Sequence, residues 1–97
     1  MKPDLIILHE YCVKVNIEPS FVLLLNEEGL IEILIIDNME YLPLSQLKEL
    51  EKYTRMYYDL AINMEGIDVI HHLLDRIKGM QAEINHLKKK LRLYEPE

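Results

Sequence analysis

From Ile70 to Tyr94 the apolar residues recur at alternating spacings of three and four: Ile70, Leu73, Ile77, Met80, Ile84, Leu87, Leu91 and Tyr94. That is the heptad of a coiled-coil seam, and it commits the last third of the chain to one long helix. A helix from about Met64 to Tyr94 runs about 45 Å at 1.5 Å per residue. The whole chain has only 97 residues, and a domain of that size cannot cover such a stripe alone. The expectation is a homodimer with Ile70, Leu73, Ile77, Met80, Ile84, Leu87 and Leu91 in the interface. The alternative is that the first half packs on its own domain and the remainder frays. Gly79 falls at an outer heptad position and leaves the seam closed, at about 1 kcal/mol of helix propensity. The spacing does not choose between parallel and antiparallel pairing.

Charge separates the two halves. Residues 1–43 hold Lys2 and Lys14 against eight acids: Asp4, Glu10, Glu18, Glu27, Glu28, Glu32, Asp37 and Glu40. The remainder has nine cations and nine acids, so the formal charge of −6 sits on the first half. Such a surface repels a polyanion and suits a basic protein face. At 49% hydrophobic and 29% charged, the chain reads as a folded domain rather than a disordered tail. Leu5–Leu8 and Ile33–Ile36 are too short to span a bilayer, which takes about 20 apolar residues. Cys12 is the only cysteine, and the start lacks a cationic leader with a long apolar core, so the cytoplasm is the expected compartment.

Leu5 to Leu8 reads as a short strand and Glu10 to Val15 as a brief helix. Pro19 opens a second helix at a position where its missing N–H costs nothing. Gly29 closes that helix, with Leu30 placed to pack back on the last turn. On this helix Phe21, Leu24 and Leu25 are expected to face the core, and Val22, Leu23, Asn26 and Glu27 to face outward. Ile31–Ile36 and Met39–Leu42 read as a hairpin, because Asp37-Asn38 tolerates the positive φ angles of a tight turn. Leu44, Leu47, Leu50, Tyr53 and Tyr57 mark an amphipathic helix to about Asp59, with Ser45 available as a cap. The Tyr53, Tyr57 and Tyr58 group is expected to pack that helix on the core with hydroxyls reaching solvent. A break follows at Ala61-Ile62-Asn63. The chain thus divides into a compact part, residues 1–60, and a coiled-coil-like helix, residues 61–97.

Helix, turn, helix, Gly-Leu, hairpin wing, helix and long terminal helix is the order found in winged helix-turn-helix proteins of the MerR class, and Gly29-Leu30-Ile31 stands where that class has Gly-Leu-Ile. More narrowly, the chain resembles the chaperone-modulator family CbpM over nearly its whole length. The residues that carry this are Glu10-Tyr11-Cys12, Gly29-Leu30-Ile31-Glu32, and Asp59-Leu60-Ala61-Ile62-Asn63 leading into Gly66-Ile67. The expected fold is therefore mainly α with a small β-hairpin wing, a MerR-like winged helix-turn-helix plus a long C-terminal dimerisation helix. The resemblance implies a homodimer that binds the J-domain of a DnaJ-like co-chaperone and blocks its stimulation of the heat-shock ATPase. It also favours antiparallel pairing of the last helices. The alternative is a MerR-like DNA-binding transcriptional regulator. Where the DNA-binding branch has arginine and tyrosines in its recognition helix, and Pro and Arg after Gly-Leu-Ile, this chain has Leu23-Leu24-Leu25-Asn26 and Glu32-Ile33. A DNA reader needs cations there for phosphates and base edges.

Val22, Leu23, Asn26 and Glu27 are accordingly the expected partner-binding residues, apolar side chains ringed by carboxylates. The alternative is that the wing or the last helix covers Val22 and Leu23. Lys88-Lys89-Lys90 with Arg92 reads as a solvated rim complementing the negative end of its helix. His71 and His72 with Asp68 and Asp75, or His9 with Cys12, do not form a zinc signature, which wants four ligands from two clusters. Cys12 reads as a small core residue. No phosphate loop, nucleophile elbow or convergent acid pair is present, so neither enzyme activity nor a cofactor or metal is expected.

Overall fold

The computed structural model describes residues 4–94. Lys2, counted above in the charge of the first half, and residues 95–97 of the second segment lie outside the described residues, as does the side chain of Tyr94. The elements run β1 (Leu5–Ile7), α1 (Leu8–Val15), α2 (Pro19–Glu27), β2 (Leu34–Ile36), β3 (Met39–Pro43), a 3-10 turn (Leu44–Gln46), α3 (Leu47–Thr54), a π-helical turn (Arg55–Asp59) and α4 (Met64–Tyr94).

Local signals set most boundaries. Asn16, at φ 59°, turns the chain out of α1, and Pro19 starts α2 at its first position. Gly29 takes φ 76°. The N–H of Leu30 then reaches the carbonyl of Leu25 at 2.9 Å and that of Gly29 the carbonyl of Asn26 at 3.1 Å. These two bonds make a Schellman motif, and the Leu25–Leu30 pair that accompanies it is buried. Asp37 and Asn38 sit at φ 50° and 64°, the two positive angles of a type I′ turn, whose twist matches the strands it joins.

The wing is larger than a hairpin. β1 pairs antiparallel with β3, giving a three-stranded sheet in the order β1-β3-β2, with Leu5 opposite Pro43 and Ile7 opposite Tyr41. The expected strand through Leu8 ends at Ile7, where the chain passes directly into α1. The expected helix from Leu44 to Asp59 is three pieces, and Ser45 makes no capping hydrogen bond. Its last piece is a π turn in which Leu60 N–H bonds to the Arg55 carbonyl at 3.1 Å. The extra residue in that turn brings both Tyr57 and Tyr58 onto Phe21, with ring centroids 4.6 and 5.4 Å away.

The core is one cluster that includes Leu8, Cys12, Val22, Leu25, Leu42, Leu50, Tyr53 and Ile67. Ile67 lies on α4, so the core extends past the 60/61 boundary into the base of the long helix. Asn63 caps that helix by accepting the Gly66 N–H at 2.8 Å. Glycine at position 66 leaves room for Ile62, since a Cβ there would stand 2.7 Å from Ile62 Cγ2 and force that side chain to shift. Beyond Leu74 every described side chain of α4 is exposed, so the helix projects from the domain that anchors it. The arrangement is a winged helix-turn-helix with a protruding terminal helix.

Candidate protein-binding surface

α2 occupies the place of a recognition helix, but it packs with a different rotation from the one expected. Its core face is Phe21, Val22 and Leu25, with Val22 at 0% exposure, while Leu24 is 46% exposed. The expected roles of Val22 and Leu24 are thus exchanged. Five consecutive apolar residues leave the helix with no preferred side, and the neighbours decide. The aromatic pair from the π turn takes Phe21, and the rest of the core takes Val22. Val22 is therefore withdrawn as a partner-facing residue.

Leu23 is half-buried against the core edge. Asn26 is exposed, yet its Oδ1 accepts the Ile33 N–H at 3.2 Å, so this side chain holds the entry to the wing. Gln46 does the same one residue earlier, its Oε1 accepting the Glu32 N–H at 3.1 Å. Glu27 is exposed, as are Glu28 and Ser20. The solvent face of α2 and its C-cap thus consists of Ser20, Leu24, Asn26, Glu27 and Glu28, with Leu23 at its border. Leu24 was missed because it shares the i, i+3 spacing of a core stripe with Phe21.

No Lys or Arg occurs between Val15 and Leu47, whereas Glu18, Glu27, Glu28, Glu32, Asp37 and Glu40 all do. Five of those six carboxylates are exposed and Glu40 is half-buried. Helix and wing together therefore offer negative charge and apolar side chains, with no cation to meet a phosphate.

Along α4, Ile70 is half-buried, whereas Leu73, Ile77, Met80, Ile84, Leu87 and Leu91 are all exposed, Ile77 at 56%. Among the described residues nothing covers the stripe from Leu73 to Leu91. Lys88, Lys89, Lys90 and Arg92 are exposed around its far end.

At the base of α4 one expectation changes. Tyr53 is fully buried, and its hydroxyl lies 2.9 Å from His71 Nδ1 rather than in solvent. His71 Nε2 in turn lies 3.3 Å from Asp75 Oδ2. With the Nε2 proton facing the carboxylate, Nδ1 accepts from Tyr53, so the line ties α3 to α4. The hydroxyl of Tyr58 likewise accepts the Glu18 N–H at 3.1 Å, tying the π turn to the start of α2. His71 is thus part of the packing, while His72, facing Asp68 at 3.4 Å, stays on the surface.

A hydroxyl, an imidazole and a carboxylate in line suggest nucleophile chemistry, but burial, then the nearby Glu49 charge, push the Tyr53 hydroxyl up to about 12. It is a tether. Burial, then the charge of Glu18, also raises the Cys12 thiol, which sits in the core as expected. Among the described residues no group of three or more His, Cys, Asp or Glu could hold a metal ion, and no helix is long and apolar enough to cross a membrane.

Burial of the Tyr53 hydroxyl has an alkaline signature. An unfolded tyrosine ionises near pH 10, two units below the folded group, so the stabilisation is complete below pH 10 and is lost as pH rises toward 12. Urea unfolding of the wild type and Tyr53→Phe should therefore show a stability difference that is constant below pH 10 and shrinks above it. A difference that does not change across that window would contradict burial of the hydroxyl.

Comparison with curated proteins and with solved structures gives no significant match. A family model does match, described as MerR HTH family regulatory protein and covering residues 6–89. That span runs from β1, through the helix pair and the wing, to the basic end of α4. With most of its length matched by that model, and with the helix pair, wing and long terminal helix in place, the chain belongs to the MerR HTH family of regulatory proteins.

Proposed function

We propose that the chain regulates by binding protein rather than DNA, as a homodimer that occupies the J-domain of a DnaJ-like co-chaperone in the manner of CbpM-type modulators. The observation that carries this reading is the solvent face of α2, where Leu24, Glu27 and Glu28 stand on an element without a single Lys or Arg. Such a face matches a basic protein surface, and complementary potentials speed encounter and fix orientation. The short motifs at Glu10-Tyr11-Cys12, Gly29-Leu30-Ile31-Glu32 and Asp59–Asn63 point the same way by resemblance. The mechanism is occupancy: a J-domain held by this chain is not free to stimulate its ATPase, and no chemistry is required. The exposed α4 stripe supplies the dimer contact, and Leu23, Asn26 and Glu27 remain the α2 residues assigned to the partner, joined by Leu24.

Isothermal titration of an isolated J-domain tests this. Glu27→Lys is expected to weaken binding by at least about tenfold, or about 1.4 kcal/mol, with an unchanged melting temperature and unchanged oligomeric state. Wild-type protein that does not bind a J-domain would end the co-chaperone reading. Binding that ignores Glu27→Lys would move the contact off α2. The competing reading, operator recognition, draws on the family description. It requires tight duplex binding that falls steeply with salt, as counterion release demands.

A further inference from the structure

The wing carries a second surface, separate in position from α2. β3 places Glu40 and Leu42 on the same side of the sheet, since residues two apart share a face. Leu42, paired with Ile6, is buried on the core. Glu40 is paired with Ile35, two rungs nearer the tip, and there the core has ended: Ile35 is 69% exposed. The overhang leaves a groove of about 560 Å³ between the hairpin and the start of α1, lined by Ile7, His9, Glu10, Ile35, Met39 and Glu40 among others. Around the tip Ile36 and Met39, opposite each other in the last rung, are also exposed. β2 is an edge strand of three apolar residues with neither Lys nor Pro to guard it, and an unguarded edge of this kind is where a partner can be accommodated.

We propose that this groove seats a protein segment in which lysine or arginine side chains alternate with apolar ones. Apolar side chains of the segment cover Ile35 and Met39, while its cations meet Glu10 and Glu40 on the walls and Asp37 at the tip. The absence of any Lys or Arg from Val15 to Leu47 means that the wing itself offers no competing cation. Glu10 lies in the first turn of α1 and supplies the anion that a helix N-terminus favours, so that end does not repel the segment. The chain contains one segment of this composition itself, Leu87 to Leu93, but in the dimer proposed above, on which this exclusion rests, its Leu87 and Leu91 belong to the seam. The occupant is therefore another protein. None of the lining residues belongs to α2, and the proposal stands whether or not a J-domain is the partner there.

The probe is a labelled amphipathic Lys/Leu peptide, titrated by fluorescence anisotropy against the full chain, with a Lys/Ser peptide as the charge-matched control. The expected result is Lys/Leu binding at least about tenfold tighter than Lys/Ser. Ile35→Ser and Glu40→Gln should each weaken it by about tenfold, with unchanged melting temperatures, and Glu27→Gln on α2 should change it by less than about threefold. Absence of Lys/Leu binding, equal affinities for the two peptides, or equal losses in all three variants would overturn the proposal, the second by reducing the effect to diffuse charge and the third by leaving no preference for the groove. Light scattering covers the remaining occupant: assemblies larger than a dimer that dissolve in Ile35→Ser would show a second copy in the groove and would also overturn it.

Discussion

Ile77→Asp is expected to yield a monomer whose winged domain melts like that of the wild type. Ile77 lies in the stripe that the described residues leave uncovered and is 56% exposed within one chain, so an aspartate there faces water when the chain is alone. In the proposed dimer the same aspartate lies in the seam. It removes about 1.5–3 kcal/mol of apolar burial per chain, and it adds the desolvation of a carboxylate with no partner, which costs several kcal/mol more. Dimer symmetry applies both penalties twice. The dissociation constant should therefore rise by at least about a thousandfold, which sedimentation velocity at micromolar protein reads as a change from two chains to one. A variant that sediments as the wild type does would mean that α4 pairs through another face, or not at all.

Val22→Asp should unfold the domain. Val22 is wholly enclosed in a cluster with Leu8, Leu25, Leu42 and Leu50, and among the described residues no charged side chain is buried there to pair a carboxylate. Burying an unpaired charge belongs to the small set of changes that exceed about 4 kcal/mol, and a domain of this kind has only about 5–15 kcal/mol in total. Circular dichroism should lose the cooperative thermal transition. Partner binding should vanish with it, as a consequence of unfolding rather than of a lost contact. The two substitutions on α2 thus separate surface from core: Glu27→Lys changes binding and leaves the melt alone, whereas Val22→Asp destroys the melt. A normal melt for Val22→Asp would show that α2 is rotated as its i, i+3 spacing first suggested, with Leu24 inside.

That rotation marks the limit of what the residues of α2 say by themselves. Where the helix starts and stops was legible, because Pro19 and Gly29 act through their own backbones and need no neighbour. Which side is buried was not, because every position from Phe21 to Leu25 is apolar and each rotation hides some of them. The same distinction runs through the wing. Asp37-Asn38 announced the tight turn from its own φ preferences, while the recruitment of β1 to β3 joins residues nearly forty apart in sequence and leaves no local trace. Tyr53 and His71 are a similar case: each is ordinary in its own helix, and only the crossing of α3 with the base of α4 puts hydroxyl and imidazole 2.9 Å apart.

For the candidate surfaces, the acid-rich and cation-free character of residues 15–47 was visible at once, since charge is carried by each residue wherever it lies. The exposed members were less so. Leu24 and Ile35 look like core residues by type, and they are exposed because other side chains reached the core first or because the sheet outruns it. The stripe from Leu73 to Leu91 is the opposite case: its period was explicit in the chain, and its exposure follows from a length that the domain cannot match.

The two ends of α2, the two tight chain reversals, the long terminal helix and the sign of the surface were determined by the amino-acid sequence, because backbone preference and charge are properties of single residues and short windows. Tertiary structure decided the face that α2 buries, the third strand of the sheet, the π turn that swings two tyrosines onto Phe21, and the overhang that opens the wing groove. Those depend on which apolar side chains win the limited space of one small core, and that competition takes place between segments far apart in the chain.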